Sequence, residues 1–271
     1  MKVTVLVENT APENLQCEHG LSFLIEFNGN KYLLDAGTTD MFLENAKTLG
    51  ISLDDVHTSI LSHGHYDHSG GFGTFLEQNQ EAKLFLMQGA DNDFFSMSGE
   101  LHEIGIPKEV IEKHRNRFHF IQGVTKITED MHLVPHATDG LEIIGERAKL
   151  YCKVGTELLP DDFKHELSVV FKTDKGLVVL NSCSHGGVKA IIEEVKNVFP
   201  NELIYAFLGG LHMKGGIYSE EEIRLVAEYL KDVGVKYLYT GHCTGENPFK
   251  VLKTVAGDWV QELTTGKVID I

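Results

Sequence analysis

The stretch that decides the fold reads Ser62-His63-Gly64-His65-Tyr66-Asp67-His68-Ser69-Gly70-Gly71. It follows residues 58–62, whose composition predicts a β-strand. Alternate side chains of a strand point the same way, so His63 and His65 are expected to share one face, with the glycine between them allowing a sharp bend. Asp67 and His68 come where the chain must turn, within reach of a second ion. Imidazole and carboxylate groups suit zinc, manganese or iron better than calcium, and the pattern therefore predicts a centre for two metal ions.

The charge of the chain is strongly acidic. Its 271 residues carry a formal net charge of −16, and no segment is rich in Lys and Arg. A surface with this balance repels a phosphate backbone, so binding to nucleic acid is not expected. A small-molecule substrate is the expected partner, and nothing in the sequence fixes an oligomeric state.

The cysteines and the N-terminal residues indicate in which cellular compartment the protein is expected. No Cys-x-x-Cys pair occurs among the four cysteines, which are expected to be reduced thiols: Cys17, Cys152, Cys183 and Cys243. The first apolar stretch ends too early for a secretory signal, and no apolar run is long enough to cross a bilayer. A cytoplasmic protein without a membrane span is therefore expected.

Apolar patterns predict a mixed α/β chain. In the first half, strands are expected at 3–8, 21–27, 31–35 and 58–62, and helices at 40–49 and 73–80. In the second half, strands are expected at 167–173, 177–181, 203–208 and 235–240, and helices at 188–198 and 219–230, the latter opened by Ser219-x-x-Glu222. A last helix should have Asn247 as its cap and Pro248 in first position, before a hairpin of residues 259–263 and 267–271. With 42% hydrophobic residues and no linker, residues 1–271 are expected to form one domain, a four-layer αββα sandwich.

Residues 92–117 form the least patterned stretch of the chain. They are charged and helix-like, without strong strand character, and they interrupt the first half. We expect an insertion or a lid there, which would influence the choice of substrate.

Four motifs resemble those of the metallo-β-lactamase superfamily. Residues 63–68 match its H-x-H-x-D-H signature, and Leu33-Leu34-Asp35-Ala36-Gly37 matches its early aspartate at a strand end. Two later strand-end motifs also fit, Asn181-Ser182-Cys183-Ser184-His185-Gly186-Gly187 and Thr240-Gly241-His242-Cys243-Thr244-Gly245. The resemblance spans nearly the whole chain and implies an α/β fold of the metallo-β-lactamase type.

Within the superfamily, the chain resembles the branch named for dihydropterin-ribofuranosyl-aminobenzene-phosphate synthase. The shared details are the Cys-Ser-His-Gly-Gly and Gly-His-Cys-Thr-Gly elements, Glu18-His19-Gly20-Leu21-Ser22 and Gly209-Gly210-Leu211-His212. Many members of this branch have no assigned substrate, so the resemblance constrains the pocket more than the reaction.

The resemblance also implies a ligand set for two divalent ions. By the family pattern the first ion is bound by His63 and His65, and the second by Asp67, His68 and His242. The third ligand of the first ion is expected to be His185, with His165 as the competitor.

The chain departs from the family where most relatives carry an aspartate that bridges both ions. The strand here ends in Asn181-Ser182-Cys183. Either Cys183 or His185 takes the place of the aspartate, or the bridge is water or hydroxide alone. A thiolate favours zinc, although a buried cysteine also serves as a small apolar residue. Zinc is the favoured metal, with manganese and iron as alternatives.

Two further histidines are candidates for contact with substrate. The branch resemblance implies that His212 binds substrate or acts as a general acid, and His19 is a second candidate, although a single histidine after a strand is often structural. The glycines of Lys214-Gly215-Gly216 either cradle a phosphate near a helix N-terminus or form an ordinary loop. The other histidines are expected to have no role at the site: His57, His102, His114, His119, His132 and His136.

The expected chemistry follows from paired ions, which lower the pKa of a bridging water and polarise a carbonyl or phosphoryl oxygen. Asp67 is expected to hold its ion and orient the nucleophile, and His212 to protonate the leaving group. The expected activity is hydrolysis, or a related transfer, on a small anionic substrate such as a phosphate ester or a pterin-like conjugate. The alternatives are a phosphodiesterase or nuclease of the same superfamily and a non-catalytic metal-binding protein.

Overall fold

Three β-sheets and eight α-helices make up the computed structural model, which describes residues 1–271. The strands are β1 (Lys2–Val7), β2 (Ser22–Phe27), β3 (Asn30–Leu34), β4 (Thr58–Ile60), β5 (Lys83–Met87), β6 (Phe94–Ser96), β7 (His102–Glu103), β8 (Phe118–Ile121), β9 (Thr125–Lys126), β10 (Met131–Pro135), β11 (Leu150–Val154), β12 (Glu157–Pro160), β13 (Leu167–Thr173), β14 (Gly176–Leu180), β15 (Ile204–Leu208), β16 (Tyr237–Thr240), β17 (Val260–Glu262) and β18 (Val268–Asp270). The helices are α1 (Met41–Thr48), α2 (Tyr66–Ser69), α3 (Phe72–Gln78), α4 (Lys108–His114), α5 (Glu142–Ala148), α6 (Val188–Val198), α7 (Glu220–Asp232) and α8 (Glu246–Ala256). None of these helices is both long and apolar enough to cross a membrane.

The chain divides into two units. The first unit contains residues 1–122, 150–159 and 264–271, and the second contains residues 123–149 and 160–263. The chain therefore passes from one unit to the other four times along its length. That residues 1–271 behave as one domain stays a prediction.

The large sheet of the first unit has the strand order β18-β1-β2-β3-β4-β5-β8. Strands β1, β2 and β3 are antiparallel, whereas β3, β4, β5 and β8 run parallel. Strands β2 and β3 form a hairpin, and Asn28 and Gly29 between them have the positive φ values, 49° and 77°, that a two-residue turn favours. In the core of this unit, Phe42 of α1 and Phe75 of α3 are buried, with ring centroids 6.5 Å apart.

The small sheet, with the order β12-β11-β6-β7, contains part of the stretch predicted as a lid. Residues 92–117 were expected to be helix-like, without strong strand character, but they contain β6, which pairs with both β11 and β7. This pairing accompanies the burial of Phe94, which is 1% exposed, and such tertiary contacts outweigh a weak local strand pattern. The helical part of the prediction is confirmed by α4. A lid function for this stretch stays a prediction.

The sheet of the second unit has the order β17-β16-β15-β14-β13-β10-β9. Strands β13 and β14 form an antiparallel hairpin, and β14, β15, β16 and β17 run parallel. The predicted helices are confirmed at α6 and α7, the latter opened by the full capping box of Ser219 and Glu222. Side chains of these helices and of the sheet form one buried apolar cluster, which includes Ile192, Leu230 and Leu238.

Some predicted boundaries are wrong. Helix α8 is capped by Gly245, so Asn247 and Pro248 are its second and third residues, where a proline still removes no intrahelical hydrogen bond. Strand β4 ends at Ile60 rather than at residue 62. The last two strands form no hairpin, because β17 pairs with β16 and β18 pairs with β1. Beside β16, Val260 is buried in the core of the second unit, which favours this pairing over a hairpin.

Candidate functional site

The predicted site residues follow the carboxyl ends of parallel strands in each unit. In the first unit, Asp35 follows β3, and the His-rich turn (residues 62–68) comes after β4. In the second unit, β14, β15 and β16 are followed by the loops 181–187, 209–213 and 241–245. The carboxyl edge of a parallel sheet is where ligands bind in open α/β folds.

The His-rich turn brings three imidazole rings together. The ring centroids of His63 and His65 lie 4.6 Å apart, and those of His63 and His68 lie 4.3 Å apart. All three residues are buried, with exposed fractions of 0%, 4% and 0%. Asp67, in the first turn of α2, is also buried, and its Oδ2 is 3.6 Å from Nε2 of His68. The structure therefore places the four predicted ligands of this turn in one cluster.

Asp35 and Ser62 orient two of these rings. Oδ2 of Asp35 lies 2.8 Å from Nδ1 of His68, and Oγ of Ser62 lies 2.8 Å from Nδ1 of His63. Ser62 also donates from its backbone N and its hydroxyl to the Asp35 carboxylate, at 2.7 Å in both cases. Hydrogen bonds at Nδ1 fix the ring and direct Nε2 to a ligand role, which is the usual arrangement of metal-binding histidines.

Gly64 lies in a bend of the chain, as predicted, and is also required by close packing. Its φ is not positive, but a Cβ there would lie 2.1 Å from the carbonyl oxygen of Ala90 and 2.7 Å from the Phe94 ring. His63 and His65 lie beyond the end of β4, so the conformation of the loop, and not strand alternation, brings their rings together.

His19 lies beside Asp67 in the first unit. Its Nε2 is 3.3 Å from Oδ2 of Asp67, and half of its side chain is exposed. The preceding residue, Glu18, holds this segment by accepting the backbone N–H groups of Thr38 and Thr39 at 2.9 and 3.0 Å. An exposed imidazole next to a predicted metal ligand is suited to contact with substrate, and that role of His19 stays a prediction.

In the second unit, the structure brings His185 and His212 together. Their ring centroids are 4.1 Å apart, and Phe163 stacks on His185 with centroids 5.1 Å apart and ring planes 12° apart. His165, the competing ligand, places Nε2 3.0 Å from Oδ2 of Asp161. The ring of His185 thus packs against Phe163 and His212, whereas the ring of His165 lies beside a carboxylate.

Two buried thiols lie near His212. Cys183, His212 and Cys243 place their sulfur and imidazole nitrogen atoms within 4.8 Å of one another. The backbone N of His212 donates to Sγ of Cys243 at 3.3 Å, and the Cys243 thiol donates to the carbonyl oxygen of Cys183 at 3.5 Å. Burial alone would raise the pKa of the Cys243 thiol, but hydrogen bonds with Cys183 and His212 hold it well below its usual value. Gly210 makes room for this sulfur, since a Cβ there would lie 2.4 Å from it. Sequence reasoning missed Cys243, although it directly follows the predicted ligand His242.

A buried charged network supports the turn that carries His185. Nε2 of His136 is 2.5 Å from Oε2 of Glu166, and its Nδ1 is 2.8 Å from Oε2 of Glu194. Burial alone would lower the pKa of His136, but hydrogen bonds with the two carboxylates raise it to about 10. Glu166 also accepts the backbone N–H groups of His185 and Gly186, at 3.0 and 3.3 Å. The sequence-based expectation that His136 has no role at the site did not anticipate this network.

Several site residues adopt a left-handed backbone conformation that side chains other than glycine rarely take. The φ values of Asp35, Ser184, His212 and His242 are 60°, 55°, 48° and 49°. Each residue lies in a loop after the carboxyl end of a parallel strand, and His242 is buried. Such a conformation costs on the order of 1–2 kcal/mol and is concentrated at functional sites. The backbone conformation of these loops, like their side chains, is therefore typical of functional sites.

Comparison with known proteins connects this geometry to a family. The model of the metallo-beta-lactamase superfamily matches residues 15–84, which include Asp35 and the His-rich turn. The 7,8-dihydropterin-6-methyl-4-(beta-D-ribofuranosyl)-aminobenzene-5'-phosphate synthase of Methanocaldococcus jannaschii is 29% identical over 286 residues, covering 99% of this chain and 96% of that protein. An uncharacterised protein of the same organism is 26% identical and covers 92% of each chain.

Solved structures share the fold. A metal-dependent hydrolase of the beta-lactamase superfamily is 29% identical, with a TM-score of 0.85 over 100% of this chain and 99% of that chain. A diphosphatase of the PhnP family, at 13% identity and a TM-score of 0.54 over 100% of this chain and 97% of that chain, is similar in fold alone. The predicted α/β fold of the metallo-β-lactamase type is confirmed. The motifs, the whole-length similarity and the structure agree in making the chain similar to proteins of the metallo-beta-lactamase superfamily.

Proposed function

We propose that this protein is a hydrolase, or a related transferase, that uses two divalent metal ions on a small anionic substrate. The observation that carries the proposal is the cluster of three buried imidazoles beside Asp67, with Asp35 bonded to Nδ1 of His68. Buried polar rings are costly unless they have partners, and this donor set is one that zinc prefers. Members of this superfamily usually bind divalent metals, and the residues present here fit that chemistry.

The ligand assignment extends the superfamily pattern to this chain. We propose that the first ion is held by His63, His65 and His185, and the second by Asp67, His68 and His242. His165 is the alternative third ligand of the first ion. Either Cys183 or His185 takes the place of the usual bridging aspartate, or the bridge is water or hydroxide alone. The buried thiols of the second unit favour zinc over manganese or iron, because soft sulfur donors prefer it.

Residues of the chain would orient the nucleophile, contact the substrate and donate a proton. When bound, the ions would supply a reactive water at neutral pH and would polarise the substrate. Asp67 would orient the nucleophile, and the half-exposed His19 beside it would contact the substrate. His212, half-buried against His185, would donate a proton to the leaving group.

The proposed substrate class is supported by the name of a relative and by the net charge of the chain. The M. jannaschii relative is named as a synthase of a pterin-containing phosphate, which supports a phosphate ester or a pterin-like conjugate. The net charge of −16 disfavours a nucleic acid. We also propose a cytoplasmic location, which four cysteines outside any disulfide bond support.

Turnover by the zinc-loaded protein on small phosphomonoesters, phosphodiesters, lactones and thioesters tests the proposal. We expect hydrolysis of a small anionic substrate, and loss of that activity in Asp67→Asn. The control is His57→Asn, because His57 is an exposed histidine outside the site. Salt-dependent cleavage of RNA would instead favour a nuclease. Full metal occupancy without turnover of any of these substrates would favour a non-catalytic metal-binding protein.

A further inference from the structure

Glu166 is a fully buried carboxylate that contacts the backbone of the predicted ligand His185. Its Oε1 accepts the N–H of His185 at 3.0 Å, and its Oε2 accepts that of Gly186 at 3.3 Å. Oε2 also lies 2.5 Å from Nε2 of His136. The exposed fraction of Glu166 is 0%, so its charge depends on donors supplied by the protein.

His136 links Glu166 to a second carboxylate. Nδ1 of His136 is 2.8 Å from Oε2 of Glu194, which lies on α6. Oε1 of Glu194 accepts the backbone N–H groups of Ala137 and Thr138 at 2.8 and 3.0 Å. The network thus joins the end of β10, the turn before β13 and helix α6. Each buried charge in it has an oppositely charged partner and further hydrogen bonds, which is the condition for burying charge at acceptable cost.

Close packing leaves the His185 turn little freedom. A Cβ on Gly186 would lie 2.5 Å from Nε2 of His136, so only glycine fits there without a shift. Phe163 stacks on the His185 ring, and its carbonyl oxygen accepts the backbone N–H of Glu166 at 2.9 Å. One turn therefore holds the backbone of His185 through the Glu166 carboxylate and its ring through Phe163.

We propose that Glu166 is a positioning residue for His185, and that His136 and Glu194 hold Glu166 in place. This inference rests on the proposed function, because it assumes that His185 binds a metal ion. Glu166 acts through His185 and is not itself a ligand. Replacing a residue that holds a metal ligand in position through hydrogen bonds commonly lowers the metal affinity by roughly 10–100-fold.

Glu166→Gln tests the proposal with Co²⁺ as a spectroscopic probe. The substitution keeps the size of the side chain but removes the charge that faces His136 and two N–H groups. We expect Co²⁺ to bind about 10–100-fold more weakly, with altered d–d absorption bands that report the ligand geometry. His136→Gln should change the same bands. The matched control is His132→Gln on β10, four residues before His136, because the His132 ring packs on Phe199, at 5.2 Å between centroids.

Glu166→Gln leaves His136 paired with Glu194, whereas His136→Gln leaves two carboxylates without their cationic partner and can fail to fold; the double variant E166Q/H136Q, in which only Glu194 stays charged, is therefore measured in parallel. Hydrogen exchange at the amides of His185 and Gly186 adds a readout that needs no metal. We expect faster exchange at these amides in the folded Glu166 variants and no change in His132→Gln. Unchanged exchange together with an unchanged Co²⁺ spectrum would overturn the proposal. If the wild-type protein binds no Co²⁺, the proposed function fails, and exchange at the two amides still decides whether Glu166 holds the turn.

Discussion

Oδ2 of Asp35 lies 2.8 Å from Nδ1 of His68, and both side chains are fully buried. The pair connects the end of β3 to the His-rich turn. A carboxylate at Nδ1 selects the tautomer whose Nε2 can bind a metal and makes that nitrogen more basic. Asp35 is outside the predicted ligand set, yet metal binding at His68 is expected to depend on it.

Asp35→Asn should therefore weaken Zn²⁺ binding by about 10–100-fold. The amide cannot accept from His68 and from both donors of Ser62 as the carboxylate does. Competition with a chelator of known affinity measures the change. Asp55→Asn is the control, because Asp55 is an exposed carboxylate paired with Lys31. Wild-type Zn²⁺ affinity in Asp35→Asn would show that Asp35 does not orient His68.

Gly64→Ala should destabilise the protein by about 1–3 kcal/mol, because the added methyl group must displace a backbone carbonyl. The ideal Cβ would lie 2.1 Å from the oxygen of Ala90. Urea unfolding of the metal-free protein gives the free energy of unfolding. Gly123→Ala is the matched control, since a Cβ there meets nothing within 4 Å and Gly123 has no positive φ. An equal loss of stability in both variants would rule out close packing as the reason for Gly64.

The charge on His136 predicts a pH dependence of stability. Its pKa is raised from 6.5 to about 10 in the folded protein. Because the folded-state pKa is the higher one, this stabilisation is fully present below the unfolded value and is lost as the pH rises through about 10. Relative to His136→Gln, the wild-type free energy of unfolding should fall by on the order of 4 kcal/mol between about pH 6 and pH 10, as measured by urea unfolding. A difference between the two proteins that does not vary with pH would contradict a charged His136.

The path of the chain predicts how the two units unfold. The first unit is assembled from three segments and the second from two. Because neither unit is a continuous piece of chain, we expect one calorimetric transition, with equal van't Hoff and calorimetric enthalpies. Two resolved transitions of the metal-free protein would contradict the prediction of one domain.

Sequence patterns predicted the elements whose signals are local. Helix α6 was expected at residues 188–198 and lies at Val188–Val198, and the capping box located the start of α7. The patterns failed where partners distant in the chain decide the structure. Strand β6 forms because it pairs with β11, and β17 and β18 separate because each finds its partner in a different sheet. No local period encodes such pairings.

The same distinction applies to the site. Four predicted ligands lie within six residues, so their spacing could be recognised without a structure. The groups that support them could not be recognised in this way. His136 is 58 residues from Glu194 and 30 residues from Glu166, and no pattern links such positions. Asp35 could be identified only through its match to a family motif, because a single aspartate after a strand has no distinctive spacing.

The zinc content of the purified protein, measured by mass spectrometry after reconstitution and removal of excess metal, tests the metal centre most directly. We predict about two zinc ions per chain in the wild-type protein, as in other two-metal sites, and a clear loss of zinc in the double variant His63→Asn/His65→Asn. His57→Asn, which changes an exposed histidine, should keep the wild-type content. Zinc-free wild-type protein, or equal zinc in the double variant and the wild type, would contradict a metal centre at the His-rich turn.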